Sequence, residues 1–353
     1  MKISEVQTKK TSKPLEKAFK TALREVTEIE VIDVMIRLEN GDTGNGSAAS
    51  TWQITGESLP SIHAAIDGPI KDVILNRDIE ELEDILTKVE KNCIGNTSAK
   101  AAVDIALHDA YCKLFGVPLH QYLGGGSVFP ETDMTIGLDR PEIMQKDAKE
   151  RVGQGFNVLK IKVGNDEQMD ISRIEKIREV VGEEATLRLD ANQGWDRKQA
   201  VQIIRHLEKK RGIELVEQPV PAHDFEGLKY IRERVDIPIM ADESLFSPFD
   251  AFRLIKMEAV DLLNIKLMKS GGIRRARQIA DTAQSAGIEC MIGSMMESSV
   301  SVAAAAHLAY AHCNITYYDL DAVLWLKEQP EKGGITWHGA TAELSNKPGL
   351  GFT

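Results

Sequence analysis

Five charged residues recur through the second half of the chain at nearly constant spacing. Lys162, Asp190, Glu217, Asp242 and Lys266 are 24 to 28 residues apart, and each ends a short apolar run typical of a buried strand. Charged side chains are rarely buried without a partner or a function, so five of them in phase indicate a site rather than isolated ion pairs. Each interval is the length of one strand plus one helix, which predicts that all five lie around one mouth.

The three acids are typical of a metal site. Carboxylates on successive strands repel one another unless a cation lies between them. Asp190, Glu217 and Asp242 offer only oxygen ligands, which favours a hard divalent ion. The sequence therefore predicts Mg²⁺ as cofactor, with coordination positions left over for a substrate carboxylate.

Two lysines flank this predicted metal site. Lys162 shares a strand face with Lys160, two residues earlier, and Lys266 is expected across the mouth. A metal that stabilises an enediolate suits removal of a proton α to a carboxylate, with one lysine as base. If the other lysine returns a proton on the opposite face, the reaction is epimerisation.

Residues beside these positions have weaker signals. Glu243 is expected to support the site from behind, and Asn192 fits either a turn or such support. Gly271 and Gly272 could cradle a phosphate at a helix start, but a tight turn explains them better.

The elements that position the site are eight short β-rich runs, each followed by an amphipathic helical stretch. The runs cover residues 134–137, 158–162, 186–190, 213–217, 237–242, 261–266, 288–293 and 315–319. Alternating strands and helices predict parallel βαβ units, and eight of them over about 200 residues predict a (β/α)8 barrel. A doubly wound sheet is the alternative, but no GxGxxG motif opens a helix after an early strand.

The first 125 residues have a different pattern. Strands are predicted at 2–8 and 29–38, with a hairpin turn at 40–42, and a long helix is predicted from an N-cap at Thr97-Ser98 to Gly116. We therefore predict an α+β unit over 1–125, the barrel over 126–330, and a segment over 331–353 that returns to the first unit.

Composition excludes several classes of partner. The 353 residues carry 43 basic and 54 acidic side chains, a net charge of −11, which disfavours nucleic acid or an anionic membrane. No signal core and no membrane-length apolar run is present. The four cysteines (Cys93, Cys112, Cys290 and Cys313) are scattered, which favours reduced thiols and a cytoplasmic location.

Five segments carry a resemblance to a known family. They are LKIKVG (159–164), LRLDANQGW (187–195), VEQP (216–219), ADES (241–244) and NIK (264–266). Together, in order and over nearly the whole chain, they resemble the muconate-lactonising subgroup of the enolase superfamily. The resemblance implies an α+β capping domain on a modified (β/α)7β barrel and a homo-oligomer. It also implies Mg²⁺ on the three acids and acid/base roles for Lys162 and Lys266.

A further motif narrows the resemblance within that subgroup. Asp319-Leu320-Asp321-Ala322 resembles the Asp-x-Asp motif of dipeptide epimerases, where the pair binds the free α-ammonium of the substrate. Two carboxylates two residues apart share one face and can hold one cation.

Other positions resemble substrate-binding residues of L-Ala-D/L-Glu epimerases. The segment from Lys20 to Arg24 resembles their capping-domain loop, which implies that Arg24 binds a glutamate carboxylate. Thr135 and Ser294 match substrate-lining positions, and Lys160 is expected to accommodate carboxylate charge. One departure is Gly44-Asn45-Gly46-Ser47, where many relatives have Gly-x-Gly-Glu, and this leaves the side-chain preference of the substrate open.

The main hypothesis is a Mg²⁺-dependent dipeptide epimerase that converts L-Ala-D-Glu into L-Ala-L-Glu in murein peptide recycling. Alternatives with the same site are epimerisation of another dipeptide class, racemisation of N-acyl amino acids, and o-succinylbenzoate synthesis. An aldolase that uses a lysine Schiff base and a barrel that only binds a ligand are more distant alternatives.

Overall fold

The computed structural model describes residues 1–126, 128–164, 166–183, 185–209, 212–328 and 333–352. Its N-terminal part is an antiparallel sheet in the order β1-β2-β3, followed by helices of 4 to 18 residues and two helical turns. The strands are β1 (Ile3–Lys20), β2 (Glu25–Leu38) and β3 (Thr43–Ala49). The helices are α1 (Leu59–Ala65), a π-helical turn (Ile66–Ile70), α2 (Lys71–Ile74), a 3₁₀ turn (Ile79–Glu81), α3 (Leu82–Asn92), α4 (Thr97–Leu114) and α5 (Leu119–Tyr122).

The first hairpin is much longer than predicted. The expected strand at 2–8 continues to Lys20, which pairs with Glu25 across a tight turn. Its outer half, residues 9–18, is dominated by Lys, Glu, Ser and Thr and has no apolar alternation to mark a strand. This segment is therefore a strand because it pairs with β2, not because it has a buried face of its own. The paired strands carry the hairpin tip away from the rest of the sheet.

The two glycines of the Gly44–Ser47 segment have a packing role. A Cβ at Gly44 would lie 2.0 Å from the Ala106 carbonyl, and one at Gly46 would lie 1.9 Å from the Ala102 carbonyl. Strand β3 can lie this close to α4 only without side chains. Ser47 is fully buried in the sheet and is not among the residues that line the pocket described below.

The start of helix α4 corrects the predicted cap. Thr97 is the first helical residue, and Asn96 precedes it in a left-handed conformation without a side-chain cap. The carboxylate of Glu57 takes the capping role instead, because it accepts the amides of Ser98 and Ala99 at 2.8 and 3.2 Å. A cap from a distant residue has no local sequence signal.

The second part is the predicted barrel. Its eight strands are hydrogen-bonded in sequence order from β4 to β11. They are β4 (Met134–Ile136), β5 (Val158–Lys162), β6 (Thr186–Asp190), β7 (Ile213–Glu217), β8 (Ile239–Ala241), β9 (Leu262–Lys266), β10 (Glu289–Gly293) and β11 (Ile315–Asp319). The Asp133 amide donates to the Tyr318 carbonyl at 3.1 Å, which brings the last strand against the first.

Helices follow seven of these strands. They are α6 (Pro141–Gly153), α7 (Glu167–Val181), α8 (Arg197–Leu207), α9 (Phe225–Arg232), α10 (Pro248–Lys256), α11 (Leu267–Ser270) with α12 (Ile273–Ser285), and α13 (Ser299–Ala311). Strand β11 is followed only by a 3₁₀ turn at Asp321–Trp325. This is the (β/α)7β form of the barrel, so the fold prediction is confirmed.

Local sequence explains the barrel helices well. Four begin after an Asp or Ser whose side chain accepts an amide of the first turn. These caps are Asp166, Asp196, Asp224 and Ser247. Most residues of the strands between the helices are buried, including the polar residues at their carboxyl ends.

The C-terminal segment forms a hairpin of β12 (Ile335–His338) and β13 (Thr341–Leu344). Beyond it, the Leu350 amide donates to Asp109 on α4 at 2.8 Å, and the Leu119 amide donates to the Gly349 carbonyl at 2.8 Å. The domain limits given above stay predictions, and the one between 330 and 331 lies outside the described residues. No helix in the described ranges is long and apolar enough to cross a membrane.

Candidate active site

Strand register brings the charged strand ends together. Lys162 pairs with Asp190, and Asp190 pairs with Glu217 on the next strand. Asp242 directly follows β8, and Lys266 ends β9. Because parallel strands all present their carboxyl ends at one side of a barrel, these five side chains meet at one mouth.

The three acids form a compact, buried cluster. One oxygen from each of Asp190, Glu217 and Asp242 lies within 4.8 Å of the others, and all three residues are fully buried. This donor set, three carboxylates and no sulfur or imidazole, fits Mg²⁺. The residues present could therefore hold the predicted cofactor.

The charges of this cluster are strongly coupled. Burial and the neighbouring Asp190 raise the pKa of Glu217 to about 7. Burial also acts to raise the pKa of Asp190, but Lys162 and Lys160 outweigh it and lower the value to about 2. A bound divalent cation would neutralise the like charges that are crowded around Glu217.

Lys160 lies beneath the mouth rather than in the pocket. Its ammonium is 2.8 Å from Glu217 Oε2, 3.1 Å from Asp190 Oδ2 and 2.7 Å from Asp319 Oδ2, and the residue is only 1% exposed. Lys160 was predicted to accommodate carboxylate charge of the substrate, whereas here three protein carboxylates share its charge.

The two candidate bases lie on separate sides of the acid cluster. Lys162, at the end of β5, has its Nζ 2.6 Å from Asp190 Oδ2. Lys266, at the end of β9, has its Nζ 2.7 Å from Asp242 Oδ2. Three strands separate β5 from β9 in the sheet, and both lysines line the same cavity. The arrangement can deliver protons to two faces of a bound molecule.

A small cavity, partly open to solvent, lies at this mouth. Seven predicted site residues line it, namely Arg24, Thr135, Lys162, Lys266, Ser294, Asp319 and Asp321. Sequence reasoning missed Phe19, Thr21, Leu23, Ile54, Met295 and Met296, which also line it. Their apolar or hydroxyl side chains gave no chemical signal in the sequence.

Arg24 enters this cavity from the hairpin tip. The Thr21 amide donates to the Arg24 carbonyl at 2.9 Å, and the Thr21 hydroxyl accepts the amides of Leu23 and Arg24. Burial lowers the pKa of Arg24 to about 10. No carboxylate in the described part of the chain pairs with its guanidinium, which leaves a partly buried cation facing the cavity.

The two acids of the Asp-x-Asp segment have different surroundings. Asp319 pairs with Lys160, and its pKa is lowered by that lysine and Lys266 despite burial. Asp321 Oδ2 accepts the Thr135 amide at 2.8 Å and the Trp325 indole N–H at 3.0 Å, while burial and Asp319 raise its pKa. Asp321 thus lines the cavity without a cationic partner in the described ranges.

The structure also shows the positions of Asn192 and Glu243, which the sequence marked only weakly. Asn192 lines the cavity and donates to Glu243 Oε1 at 3.1 Å. Burial, Asp242 and Asp190 raise the pKa of Glu243 to about 8. Glu243 therefore contacts a residue that lines the cavity and does not line it itself.

The sequence analysis missed Lys269, which joins Lys160, Lys162 and Lys266 as a buried lysine at the site. Lys269 lies one helical turn after Lys266 on α11, is fully buried, and its Nζ is 2.5 Å from Asp242 Oδ1. It also donates to the carbonyls of Asp242 and Asn264. The sequence does contain a signal for it, because Lys269 follows the apolar residues Leu267 and Met268 directly after a buried strand.

The glycine pair after Lys269 forms a turn. Gly271 and Gly272 both have positive φ, and a Cβ at Gly272 would lie 2.4 Å from Asp104 Cβ. The Asp104 carboxylate accepts the Ile273 amide at the start of α12. That helix end is therefore capped by a protein carboxylate rather than arranged around a phosphate.

A modified barrel with an α+β cap, three clustered carboxylates and facing lysines defines a class of metal-assisted proton-transfer enzymes. The comparisons agree with this class. The chain belongs to the mandelate racemase/muconate lactonizing enzyme family: residues 3–124 match its N-terminal domain, and residues 143–353 match the enolase C-terminal domain-like family.

Two relatives share nearly the whole chain. An L-Ala-D/L-Glu epimerase from Bacillus subtilis (strain 168) is 47% identical over 100% of this chain and 97% of its own length. An L-Ala-D/L-Glu epimerase from Clostridium acetobutylicum is 48% identical over 97% of this chain and 96% of its own.

Two solved structures extend the comparison to three dimensions. A substrate-liganded complex of the L-Ala-D/L-Glu epimerase from B. subtilis superimposes with a TM-score of 0.98 at 47% identity, covering 99% of this chain and 98% of that one. A dipeptide epimerase from Enterococcus faecalis V583, complexed with Mg and L-Leu-L-Tyr, gives 0.96 at 42% identity, with 99% of both chains covered.

Proposed function

We propose that this protein is a Mg²⁺-dependent dipeptide epimerase, an isomerase that interconverts L-Ala-D-Glu and L-Ala-L-Glu. The observation that carries the proposal is Arg24, a partly buried cation in the same cavity as the two lysines and Asp321. Among the residues that the structure describes it has no carboxylate partner, and such an arginine is expected to be paired by the ligand.

The charges of the cavity match those of the substrate. An L-Ala-D-Glu molecule has one ammonium and two carboxylates. Asp321, with Asp319 beside it, would receive the ammonium, while Arg24 would receive the glutamate side-chain carboxylate. The remaining α-carboxylate would lie over Asp190, Glu217 and Asp242, which we propose as the ligands of Mg²⁺.

Lys162 and Lys266 carry out the proton transfer in this proposal. One lysine, in its neutral form, removes the α-proton of the C-terminal residue, and the other, as an ammonium, returns a proton on the opposite face. Bound Mg²⁺ would withdraw charge from the α-carboxylate and so acidify the α-proton. Only the C-terminal residue inverts, because only its carboxylate is free.

Two other activities use the same framework but fit the cavity less well. An epimerase for hydrophobic dipeptides, such as the L-Leu-L-Tyr bound by the E. faecalis relative, would leave Arg24 without a partner in the ligand. An N-acyl amino acid racemase or an o-succinylbenzoate synthase has a substrate without an ammonium, and Asp321 would then lack a counter-charge.

Proton exchange in D₂O tests the proposal. Incubation with Mg²⁺ and L-Ala-D-Glu is expected to exchange the C-terminal α-proton and produce L-Ala-L-Glu, as followed by proton NMR, and EDTA is expected to stop both. L-Ala-D-Leu and N-acetyl-L-Ala-D-Glu serve as matched controls that lack one charge each. Failure of every dipeptide to exchange would contradict the proposal, and equal rates on all three would favour a broader racemase.

We also propose that the reaction belongs to recycling of murein peptides in the cytoplasm and that the enzyme is a homo-oligomer. L-Ala-D-Glu joins an L- and a D-residue, and conversion to the L,L-form makes it a substrate for ordinary peptidases. Fractionation of cells and light scattering of the purified protein test these two points. Membrane-bound enzyme or a monomer would contradict them.

A further inference from the structure

Trp325 joins the ammonium end of the cavity to the hairpin that covers it. Its indole is 1% exposed, and its N–H donates to Asp321 Oδ2 at 3.0 Å. The Phe19 ring packs edge-on against the same indole, with centroids 5.1 Å apart and planes at 88°. Trp325 itself does not line the cavity.

The surrounding backbone fixes the indole in place. Leu326, the next residue, forms a β-bridge with Leu15, and the Lys327 amide donates to the Pro14 carbonyl at 3.0 Å. Closer to the tip, the Leu138 amide donates to the Lys20 carbonyl at 2.9 Å. The hairpin is therefore bound to the segment after β11 directly beyond Trp325, and to the loop after β4 closer to its tip.

We propose that Trp325 is a positioning residue, which orients the Asp321 carboxylate for the substrate ammonium and holds it in register with the Arg24 hairpin. This inference rests on the proposed function, since it assigns the ammonium to Asp321. The carboxylate has a second donor on the same oxygen, the Thr135 amide at 2.8 Å. Two N–H groups on Oδ2 fix the rotation of the carboxylate, so its other oxygen keeps one direction.

The proposal predicts a particular kinetic signature. A carboxylate that contacts a non-reacting ammonium contributes to binding equally before and during the reaction, so its misplacement raises KM more than it lowers kcat. Loss of one charge-assisted hydrogen bond is expected to change affinity about tenfold. The effect should be confined to substrates that carry the ammonium.

A matched control exists within the barrel. Trp195 is also buried, its indole N–H donates to Asp170 Oδ2 at 2.9 Å, and that oxygen also accepts a backbone amide, from Gly164, at 2.9 Å. The arrangement copies the one at Trp325, but neither Trp195 nor Asp170 lines the cavity. Trp195→Phe therefore removes the same kind of bond without altering the ammonium end.

The experiment measures kcat and KM of wild type, Trp325→Phe and Trp195→Phe with L-Ala-D-Glu and N-acetyl-L-Ala-D-Glu. Wild type is expected to prefer the free dipeptide. Trp325→Phe is expected to reduce that preference about tenfold, through KM of the free dipeptide, and Trp195→Phe is expected to leave it within twofold. If Trp325→Phe does not fold, site-specific replacement of Trp325 by benzothienylalanine keeps the ring shape and removes only the N–H.

The outcomes separate the two levels of inference. Wild-type enzyme that epimerises no dipeptide contradicts the proposed function and, with it, the role of Trp325. Wild-type enzyme that prefers the free dipeptide, with the same preference in the Trp325 variant, leaves the function intact and overturns the positioning role. An equal loss of preference in the Trp195 variant would also overturn it, because the effect would then be one of stability.

Discussion

The two ends of the cavity are held by different kinds of structure. At the metal end, the acids and lysines follow neighbouring strands of one sheet, and the register of Lys162, Asp190 and Glu217 places them side by side. At the hairpin end, Arg24, Thr135 and Asp321 come from a cap hairpin, the first barrel strand and the turn after the last one. Sheet register holds the first group, and contacts between the cap and the barrel hold the second.

This difference separates the chemistry from the choice of substrate. A change at the metal end disturbs a buried network in which each ion pair depends on its neighbours. A change in the hairpin tip alters one side chain on a turn whose backbone bonds are local. We therefore expect variants of the metal end to lose the reaction and variants of the hairpin end to change its specificity.

Replacing either candidate base should give the largest effect. Lys162→Ala and Lys266→Ala are each expected to lower epimerisation by about 10³-fold or more, because a positioned acid or base is missing. Each variant should still exchange the α-proton of one substrate enantiomer with D₂O, since the other lysine is intact. Proton NMR of both enantiomers measures this, and retention of epimerisation in both variants would refute the two-base scheme.

The metal end could be predicted from the sequence because its signals are local and periodic. Asp190, Glu217 and Lys266 each end an apolar run, and barrel geometry alone brings such ends together. Glu243 follows Asp242 beyond the end of β8 at Ala241, and its carboxylate accepts the side-chain amide of Asn192. That partner follows a different strand, so the contact has no local signal in the sequence.

The hairpin end could not be predicted in the same way. Arg24 was found only through a resemblance, and nothing in its neighbourhood marks the end of the strand that precedes it. Trp325 and Phe19 meet across more than 300 residues of sequence, and no periodic pattern links them. Contacts between separately folded units depend on the shapes of both surfaces, which a single sequence does not display.

Removal of Lys269 tests whether the metal end contributes more to the free energy of unfolding than the hairpin end does. Lys269→Met would leave Asp242 with one fewer cation and two carbonyls without their donor. We expect a loss of about 3–5 kcal/mol in the free energy of unfolding, the usual cost of breaking a buried ion pair. Urea titration measures it.

A lysine at the hairpin end is the control for that loss. Lys17 pairs with Asp147 at 2.5 Å, but its side chain is 42% exposed. Lys17→Met is therefore expected to cost less than about 1 kcal/mol. Equal losses in the two variants would contradict the view that the metal end is the rigid one.

Replacing Arg24 should change specificity rather than catalysis. Arg24→Met is expected to lower kcat/KM for L-Ala-D-Glu about 50-fold, since a buried charge contact with the ligand is worth roughly 2 kcal/mol or more. Activity on L-Ala-D-Leu should change little or rise. Steady-state kinetics with both substrates measure the ratio.

Lys20→Met is the matched control on the same hairpin. Lys20 carries the same charge, but it is 39% exposed and lies near Glu25 and Asp139. Its replacement is expected to leave the ratio of the two substrates unchanged. A similar change of ratio in both variants would mean that the net charge of the hairpin, rather than contact with Arg24, selects the substrate.

The smallest expected effect concerns the contact between α5 in the first part of the chain and α13 in the barrel. His307 on α13 is fully buried, and its Nδ1 accepts the His120 amide of α5 at 3.0 Å. Burial and the neighbouring His120 lower the pKa of His307 to about 3. Protonation at Nδ1 would remove the acceptor, so the folded state keeps this ring neutral.

The contact between His120 and His307 should therefore weaken in acid without a change in substrate specificity. Because the folded pKa lies below the usual value near 6.5, the unfolded chain binds the extra proton first, and stability is lost as pH falls from about 6.5 toward 3. His307→Asn keeps an acceptor but cannot titrate in this range. We expect it to remove about 1–2 kcal/mol of the stability difference between pH 7.5 and pH 5, measured by urea unfolding. An unchanged pH dependence in the His307 variant would show that other groups control the acid sensitivity of this contact.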